Sequence, residues 1–272
     1  MAVAARSVSD ICSSAKEASR IVGRLDSGTR DAALEAIASA LDARVDEVLE
    51  ANARDVEAAE GEVSSALVDR LRLTPERAQG IARGVREIAA LRDPVGEVLD
   101  GFRLPNGLDV RKVRMPLGVI AVVYESRPNV TIDCTALALK SGNAIVLRGS
   151  SMAAHSNAVL AELARDAVAS VGVPADAVAL VAGGGREELR EVATQTGVID
   201  LLIPRGGEGL KKALMEYATV PVIYAASGNC HVYVDASVES RGDRLQRSIA
   251  SARIEPANDP RGLFGRGADI RD

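Results

Sequence analysis

Three polar clusters in this chain could do chemistry, and each follows a run of apolar residues. Glu125-Ser126-Arg127-Pro128-Asn129 comes directly after Val119–Tyr124. Arg148-Gly149-Ser150-Ser151 comes after Ala144–Leu147, and Arg205-Gly206-Gly207 after Leu201–Pro204. An arginine fixed at a strand end suits a carboxylate or a phosphate, so Arg127 is a candidate anion ligand; the alternative is a surface arginine paired with Glu125. In the Arg148 turn, glycine permits close backbone approach and the hydroxyls and N–H groups can bind phosphate or ribose oxygens. A plain strand-to-helix turn with a capping serine uses the same residues. Arg205-Gly206-Gly207 repeats the arrangement, and Gly183-Gly184-Gly185 is a third glycine-rich turn. Neither G-x-G-x-x-G nor the P-loop pattern occurs, so no standard dinucleotide or P-loop fingerprint supports these turns.

The cysteines are less promising. Cys12, Cys134 and Cys230 are widely separated and have neither disulfide-framework nor metal spacing. Cys230 and His231 look like a nucleophile and its base, but neighbours on a strand point to opposite faces. His155 follows the Arg148 turn with no evident reason to serve as a base. Cys134 shares the apolar side of a predicted helix with Leu137, which makes it a core residue. No cysteine has a visible activating partner.

The elements that hold these clusters are legible in the periodicity. Between Pro116 and Gly149 the chain reads as buried strand, polar turn, amphipathic helix, Gly-Asn turn and second buried strand. Its near-unbroken valines and isoleucines are those of strands covered on both faces. From Leu117 to Asp235, strands are predicted near 118–124, 144–148, 177–182, 199–203, 221–225 and 231–235. Helices are predicted near 131–141, 153–171, 186–196 and 207–217. This alternation gives an α/β fold with an open, mostly parallel sheet. In such sheets ligands bind beyond the carboxyl ends of the strands, where the three clusters fall.

The first hundred residues read as helices. Leu34, Ile37 and Leu41 share one face, continued by Val45, Val48 and Leu49. Thr74-Pro75-Glu76 is a helix start, Ile81, Val85 and Ile88 give its stripe, and Asp93-Pro94 ends it. Pro105-Asn106-Gly107 lies between two extended runs over 98–114 and reads as a hairpin, either a surface ribbon or a subunit contact. Residues 254–272 show no period and read as an irregular tail.

Composition narrows the function. The 272 residues are 47% hydrophobic and 26% charged, an ordinary globular mix. Aromatics are only 2% and the net charge is −5, which argues against nucleic-acid binding. No apolar run approaches membrane-spanning length, and the N-terminus lacks the apolar core of a signal peptide. A reducing cytoplasm is the compartment these features imply.

The residues also carry a family resemblance. Asp69-Arg70-Leu71, Asp93-Pro94-Val95-Gly96, Pro105-Asn106-Gly107-Leu108, Tyr124–Thr131, Leu139–Asn143, Ile203–Gly207 and Cys230–Asp235 resemble, in order, signature positions of the γ-glutamyl phosphate reductase (glutamate-5-semialdehyde dehydrogenase) family. The resemblance covers residues 8–253. It implies an aldehyde dehydrogenase-like fold with an NADP-binding domain, a catalytic domain and an oligomerisation ribbon. On that basis residues 1–97 are the helical part of the cofactor domain, 98–114 the ribbon and 115–253 the α/β NADP-binding domain, while 254–272 stand where a catalytic domain is expected. The implied reaction is NADPH-dependent reduction of the small-molecule substrate γ-glutamyl 5-phosphate to glutamate 5-semialdehyde, through a thioester on a cysteine. The resemblance makes Arg148, Gly149, Ser150, Ser151, Arg205, Gly206 and Gly207 cofactor residues, with Arg148 meeting the extra phosphate of NADP. It makes Asn129 a candidate for steadying the thiohemiacetal oxygen, Arg127 a substrate ligand, and γ-glutamyl kinase and a second copy of the chain partners. No metal is implied.

The resemblance breaks after Ser251-Ala252-Arg253, which is similar to the start of the family's Asn-Ala-Lys element. The Arg-Pro-x-Val-Cys-Asn stretch bearing the nucleophile has no counterpart up to Asp272. The expectation is therefore a C-terminally truncated or frameshifted chain, with the catalytic domain largely absent, poor solubility or self-association, and no turnover. The alternative function is a non-catalytic NADP-binding or subunit-pairing remnant.

Overall fold

A computed structural model describes residues 6–183 and 185–224, and all structural statements concern these. The N-terminal region is helical, as the periodicity predicts. It comprises α1 (Val8–Val22), α2 (Ser27–Ala43), α3 (Val45–Ala59), α4 (Ser65–Leu71) and α5 (Pro75–Ala90). Side-chain caps start three of them: Ser7 accepts from the Asp10 N–H, Asp26 from Thr29 and Thr74 from Arg77. Such caps satisfy N–H groups that have no partner inside the helix. Leu34, Ile37, Leu41, Ile81 and Val85 are buried as their spacing requires, and Ile88 is half-buried.

Strands β1 (Val98–Arg103) and β2 (Asp109–Val113) form a separate antiparallel ribbon. Its turn closes with the Gly107 N–H donating to the Leu104 carbonyl at 2.8 Å. Every residue of β1 is exposed, including Val98, Leu99 and Phe102.

The remaining elements alternate: β3 (Val119–Tyr124), α6 (Asn129–Lys140), β4 (Ala144–Arg148), α7 (Ala154–Ser170), β5 (Val178–Leu180), α8 (Arg186–Ala193), β6 (Leu201–Arg205) and α9 (Glu208–Tyr217). The sheet order is β5-β4-β3-β6, and every neighbouring pair is parallel. β4 is buried along its whole length and β3 nearly so, which is why both are built from Val, Ile, Leu and Ala. α1 packs on β3, β4, β5 and α8, while α6 packs with α2 and α5 and α7 with α2 and α3.

Several expected boundaries shift. α6 starts at Asn129, because Pro128 already has helical backbone (φ −58°, ψ −33°). α8 ends at Ala193, where the Thr194 N–H turns back to the Glu191 carbonyl. The strand expected at 221–225 is reduced to one parallel bridge between Leu202 and Val222, beside Pro221, which has no N–H to give a ladder. Leu137 is exposed rather than packed with Cys134, because the buried side of α6 runs through Ile132, Thr135, Ala136 and Leu139. Gly142 closes the α6–β4 turn at φ +74°, where an added Cβ would lie 2.7 Å from the Pro116 ring. That explains the glycine on steric grounds. The predicted strand 231–235 and the tail 254–272 lie outside the described residues.

Candidate active site

The sheet reverses its winding at β3. The chain runs from β3 to β4 on one side and returns with β6 on the other. Crevices at such reversals, beyond the carboxyl ends of the strands, bind ligands. The turns after β3 and β6 are joined there: the Glu125 N–H donates to the Arg205 carbonyl at 3.3 Å, and the Gly207 N–H donates to Glu125 Oε1 at 2.9 Å. The Glu125 carboxylate thus sits at the start of α9, where unpaired N–H groups and the helix dipole favour an anion. This overturns the alternative of a Glu125–Arg127 pair. A fixed backbone donor holds the carboxylate, whereas a long arginine would have to be ordered to do so. An added Cβ at Gly206 would stand 2.7 Å from Glu125 Oε1 and 2.8 Å from Leu210 Cδ2, so the close approach requires glycine.

Arg127 and Asn129 face a cleft of about 400 Å³ that Arg70 and Asp133 also line. Asn129 Nδ2 donates to Asp133 Oδ2 at 2.8 Å. Burial raises the Asp133 carboxyl above the usual carboxylate range, against the lowering pull of the Asn129 bond and the Arg205 charge. One Asn129 N–H is therefore committed, and the oxygen-steadying role would use its other amide proton. Arg205, on β6, lies close enough to act electrostatically on both Asp133 and Cys134 of α6. The β6 end and the first turns of α6 thus converge.

The turn after β4 is built more tightly. Arg148 is buried, and its Nη2 donates to the Gly185 carbonyl at 2.5 Å. Burial pulls the guanidinium pKa down, and among the described residues neither its Nε nor the buried Glu188 Oε2 nearby has a partner. A Cβ on Gly149 would fall 2.2 Å from Asn157 Nδ2 and 3.1 Å from the Tyr124 ring. These residues form a buried network: Tyr124 Oη lies 2.7 Å from Thr131 Oγ1, which donates to Asn157 Oδ1 at 2.9 Å. The space beside Gly149 is therefore filled by protein. Ser150 accepts the Met152 N–H at 3.2 Å, so the capping role applies to Ser150, whereas Ser151 is exposed. The buried Arg148 N–H left without a partner among the described residues suits a phosphate-bearing cofactor, whereas the anion position at the start of α9 is taken by Glu125.

The thiols are poor nucleophiles where they are described. Burial pushes Cys134 up to about 11, with the neighbouring Asp133 charge adding to it, and pushes Cys12 up to about 11 as well. A protonated thiol does not attack an acyl carbon. Cys230 and His231 lie outside the described residues. His155 holds Asp55 with its Nδ1 at 2.8 Å, and Asp55 also accepts the Ser156 N–H at 2.7 Å. That carboxylate caps the start of α7 rather than serving chemistry. No group of three metal-ligating side chains occurs among the described residues, and no helix there is long and apolar enough to cross a membrane.

Sequence reasoning assigned no role to Arg70 or Asp133. The signals were present: Arg70 stands inside Asp69-Arg70-Leu71, and Asp133 lies one helical turn beyond Asn129.

Comparisons with known proteins agree with this architecture. The aldehyde dehydrogenase family matches residues 1–251. The γ-glutamyl phosphate reductase of Kineococcus radiotolerans is 53% identical over 231 residues, which are 84% of this chain and 53% of that protein. That of Thermobifida fusca is 49% identical over 235 residues, 86% of this chain and 56% of its own. Among solved structures, the γ-glutamyl phosphate reductase of Thermotoga maritima superposes with a TM-score of 0.81 at 37% identity, covering 90% of this chain and 58% of that one. The chain spans about half the length of the curated relatives it matches.

Proposed function

The chain belongs to the aldehyde dehydrogenase family, and from that premise we propose that it provides the cofactor-holding part of a γ-glutamyl phosphate reductase. The reaction would be NADPH-dependent reduction of γ-glutamyl 5-phosphate to glutamate 5-semialdehyde and phosphate, a step of proline biosynthesis. The observation that carries this reading is the edge beyond β3 and β6, where Arg127 and Asn129 line one cleft with Asp133 and Arg205 lies within electrostatic reach of Asp133. The names of the relatives above support that substrate.

In this reading Arg148, Ser150, Ser151, Arg205, Gly206 and Gly207 hold NADP, and Arg148 favours the 2′-phosphate that distinguishes it from NAD. Gly149 acts indirectly, by letting Asn157 pack beneath the turn. NADPH, when bound, supplies the hydride. Arg127 neutralises the substrate's phosphate or carboxylate. The second amide proton of Asn129 points charge-stabilising polarity at the acyl oxygen, the kind of preorganised donor that such chemistry needs.

The thioester route also requires an ionised thiol, and Cys12 and Cys134 are not suited to supply it. That observation favours a second reading, NADP binding without turnover or pairing with a complete subunit. A second copy of the chain would dock on the exposed ribbon β1–β2, which carries Leu99, Phe102 and Val113 on its surface. A γ-glutamyl kinase, as source of a labile acyl phosphate, is the natural second partner. The expected compartment is the cytoplasm. NADPH oxidation with γ-glutamyl phosphate, or the reverse assay with semialdehyde and phosphate, separates the two readings. Turnover supports the reductase; saturable NADPH binding without turnover supports the second reading.

A further inference from the structure

We propose that the cleft between the α4–α5 corner and the first turns of α6 recognises the α-amino-acid end of the substrate, Arg70 and Arg127 taking its carboxylate and Asp133 its ammonium. This rests on the reductase reading above and adds to it the residues that distinguish a glutamyl group from any other acyl phosphate.

The charges in the cleft lead to this assignment. Four arginines line it, and two are already neutralised: Arg77 forks onto Asp69 at 3.0 and 3.3 Å, and Arg72 meets Glu60 at 3.0 Å. Arg70 and Arg127 have no ion pair among the described residues. Two guanidiniums lining one space of about 400 Å³, neither of them ion-paired among the described residues, repel each other. A carboxylate between them relieves that repulsion and can be held by paired N–H donors.

Asp133 is the complementary feature. It is half-buried and faces the same cleft, and its only hydrogen bond within the described residues comes from the neutral Asn129 amide. Arg205 acts on it from a distance without forming an ion pair within the described residues. A partly desolvated carboxylate with one neutral donor gains from an ammonium, which brings three N–H groups and a full charge. An α-amino acid presents carboxylate and ammonium on one carbon, and guanidiniums and a carboxylate line this one cleft. The two groups meet only through the fold, because Arg70 stands in the last turn of α4 whereas Arg127 precedes α6 and Asp133 lies in its second turn.

Isothermal titration of the whole chain with L-glutamate, with glutarate, which lacks the ammonium, and with NADPH tests the proposal. L-glutamate is expected to bind about tenfold or more tightly than glutarate, the value of one charge-assisted contact. Asp133→Asn, which preserves the bond to Asn129, should erase that preference. Arg70→Met should weaken both ligands by about tenfold, while NADPH affinity stays within about twofold for each variant. Circular dichroism melts establish that the variants are folded. Equal binding of glutarate and L-glutamate by the folded chain, or no effect of Arg70→Met, overturns the proposal. Loss of NADPH binding with the glutamate preference intact would instead overturn the reductase reading and leave the cleft assignment standing.

Discussion

The turns after β4 and β6 open with the same two residues, Arg-Gly, at the same edge of one sheet, yet they are built in opposite ways. Arg148 is buried and tied to the Gly185 carbonyl, and Gly149 exists because Asn157 and Tyr124 fill the space a side chain would take. Arg205 is exposed, and Gly206 and Gly207 lie against the carboxylate of Glu125 at the head of α9. The first turn is packed beneath by protein, and its buried Arg148 Nε has no partner among the described residues. The second is exposed, and its anion position is filled by Glu125. An Arg-Gly pair thus specifies a turn but not its chemistry; what packs on the glycine decides that.

This contrast can be broken at its glycines first. Gly149→Ala drives a methyl into a hydrogen-bonded, buried asparagine and should cost about 1–3 kcal/mol, the usual penalty of overpacking. Gly206→Ala meets only the ends of Glu125 and Leu210, which can swing aside, and should cost less than about 1 kcal/mol. Urea unfolding of both variants gives the comparison directly; equal losses would mean that both turns are sealed alike. The arginines come next. Arg148→Met removes a buried bond to a carbonyl and should destabilise by about 1–2 kcal/mol, whereas Arg205→Met, on the surface, should change stability by no more than about 0.5 kcal/mol.

Smaller effects sharpen the picture of the open turn. Glu125→Gln removes the charge from the start of α9 and should lower stability by about 0.3–1 kcal/mol in low salt. The loss should shrink in high salt, as screening requires. Asp133 gives the smallest signal, and its sign is fixed. Burial raises its carboxyl from the ordinary value of 3.8, so the folded chain binds that proton more tightly than the unfolded chain. Its contribution is fully present below the unfolded pKa and is lost as pH rises through the raised one. Asp133→Asn should therefore flatten the pH dependence of stability above about pH 4. A variant that instead loses stability relative to the parent as pH rises would show the carboxylate to be well compensated.

Much of the scaffold was legible because it depends on local rules. The valine and isoleucine runs of β3 and β4 announce strands buried on both faces, Thr74-Pro75 announces a capped helix, and Pro105-Asn106-Gly107 a hairpin. The site was legible only in part. That Arg127, Asn129 and Arg205–Gly207 share one edge follows from strand ends in an α/β sheet. That β6 returns beside β3, and so hands Gly207 to Glu125, is a non-local pairing that no period encodes. The same holds for Arg70, which reaches the cleft only because α5 packs on α6. At Gly149 a close approach is legible, but not that the atom an added side chain would meet belongs to Asn157. Leu137 shows the limit of a short apolar helix, whose buried side cannot be chosen until its neighbours are known.

The most direct test of the account is calorimetric titration of the chain with NADPH and NADH, in parallel with Arg148→Met. Saturable binding is expected, with a preference for NADPH and a loss of about tenfold or more in NADPH affinity in the variant, with NADH little affected. Absence of saturable binding, or an Arg148→Met chain that still prefers NADPH by the same margin, would contradict it.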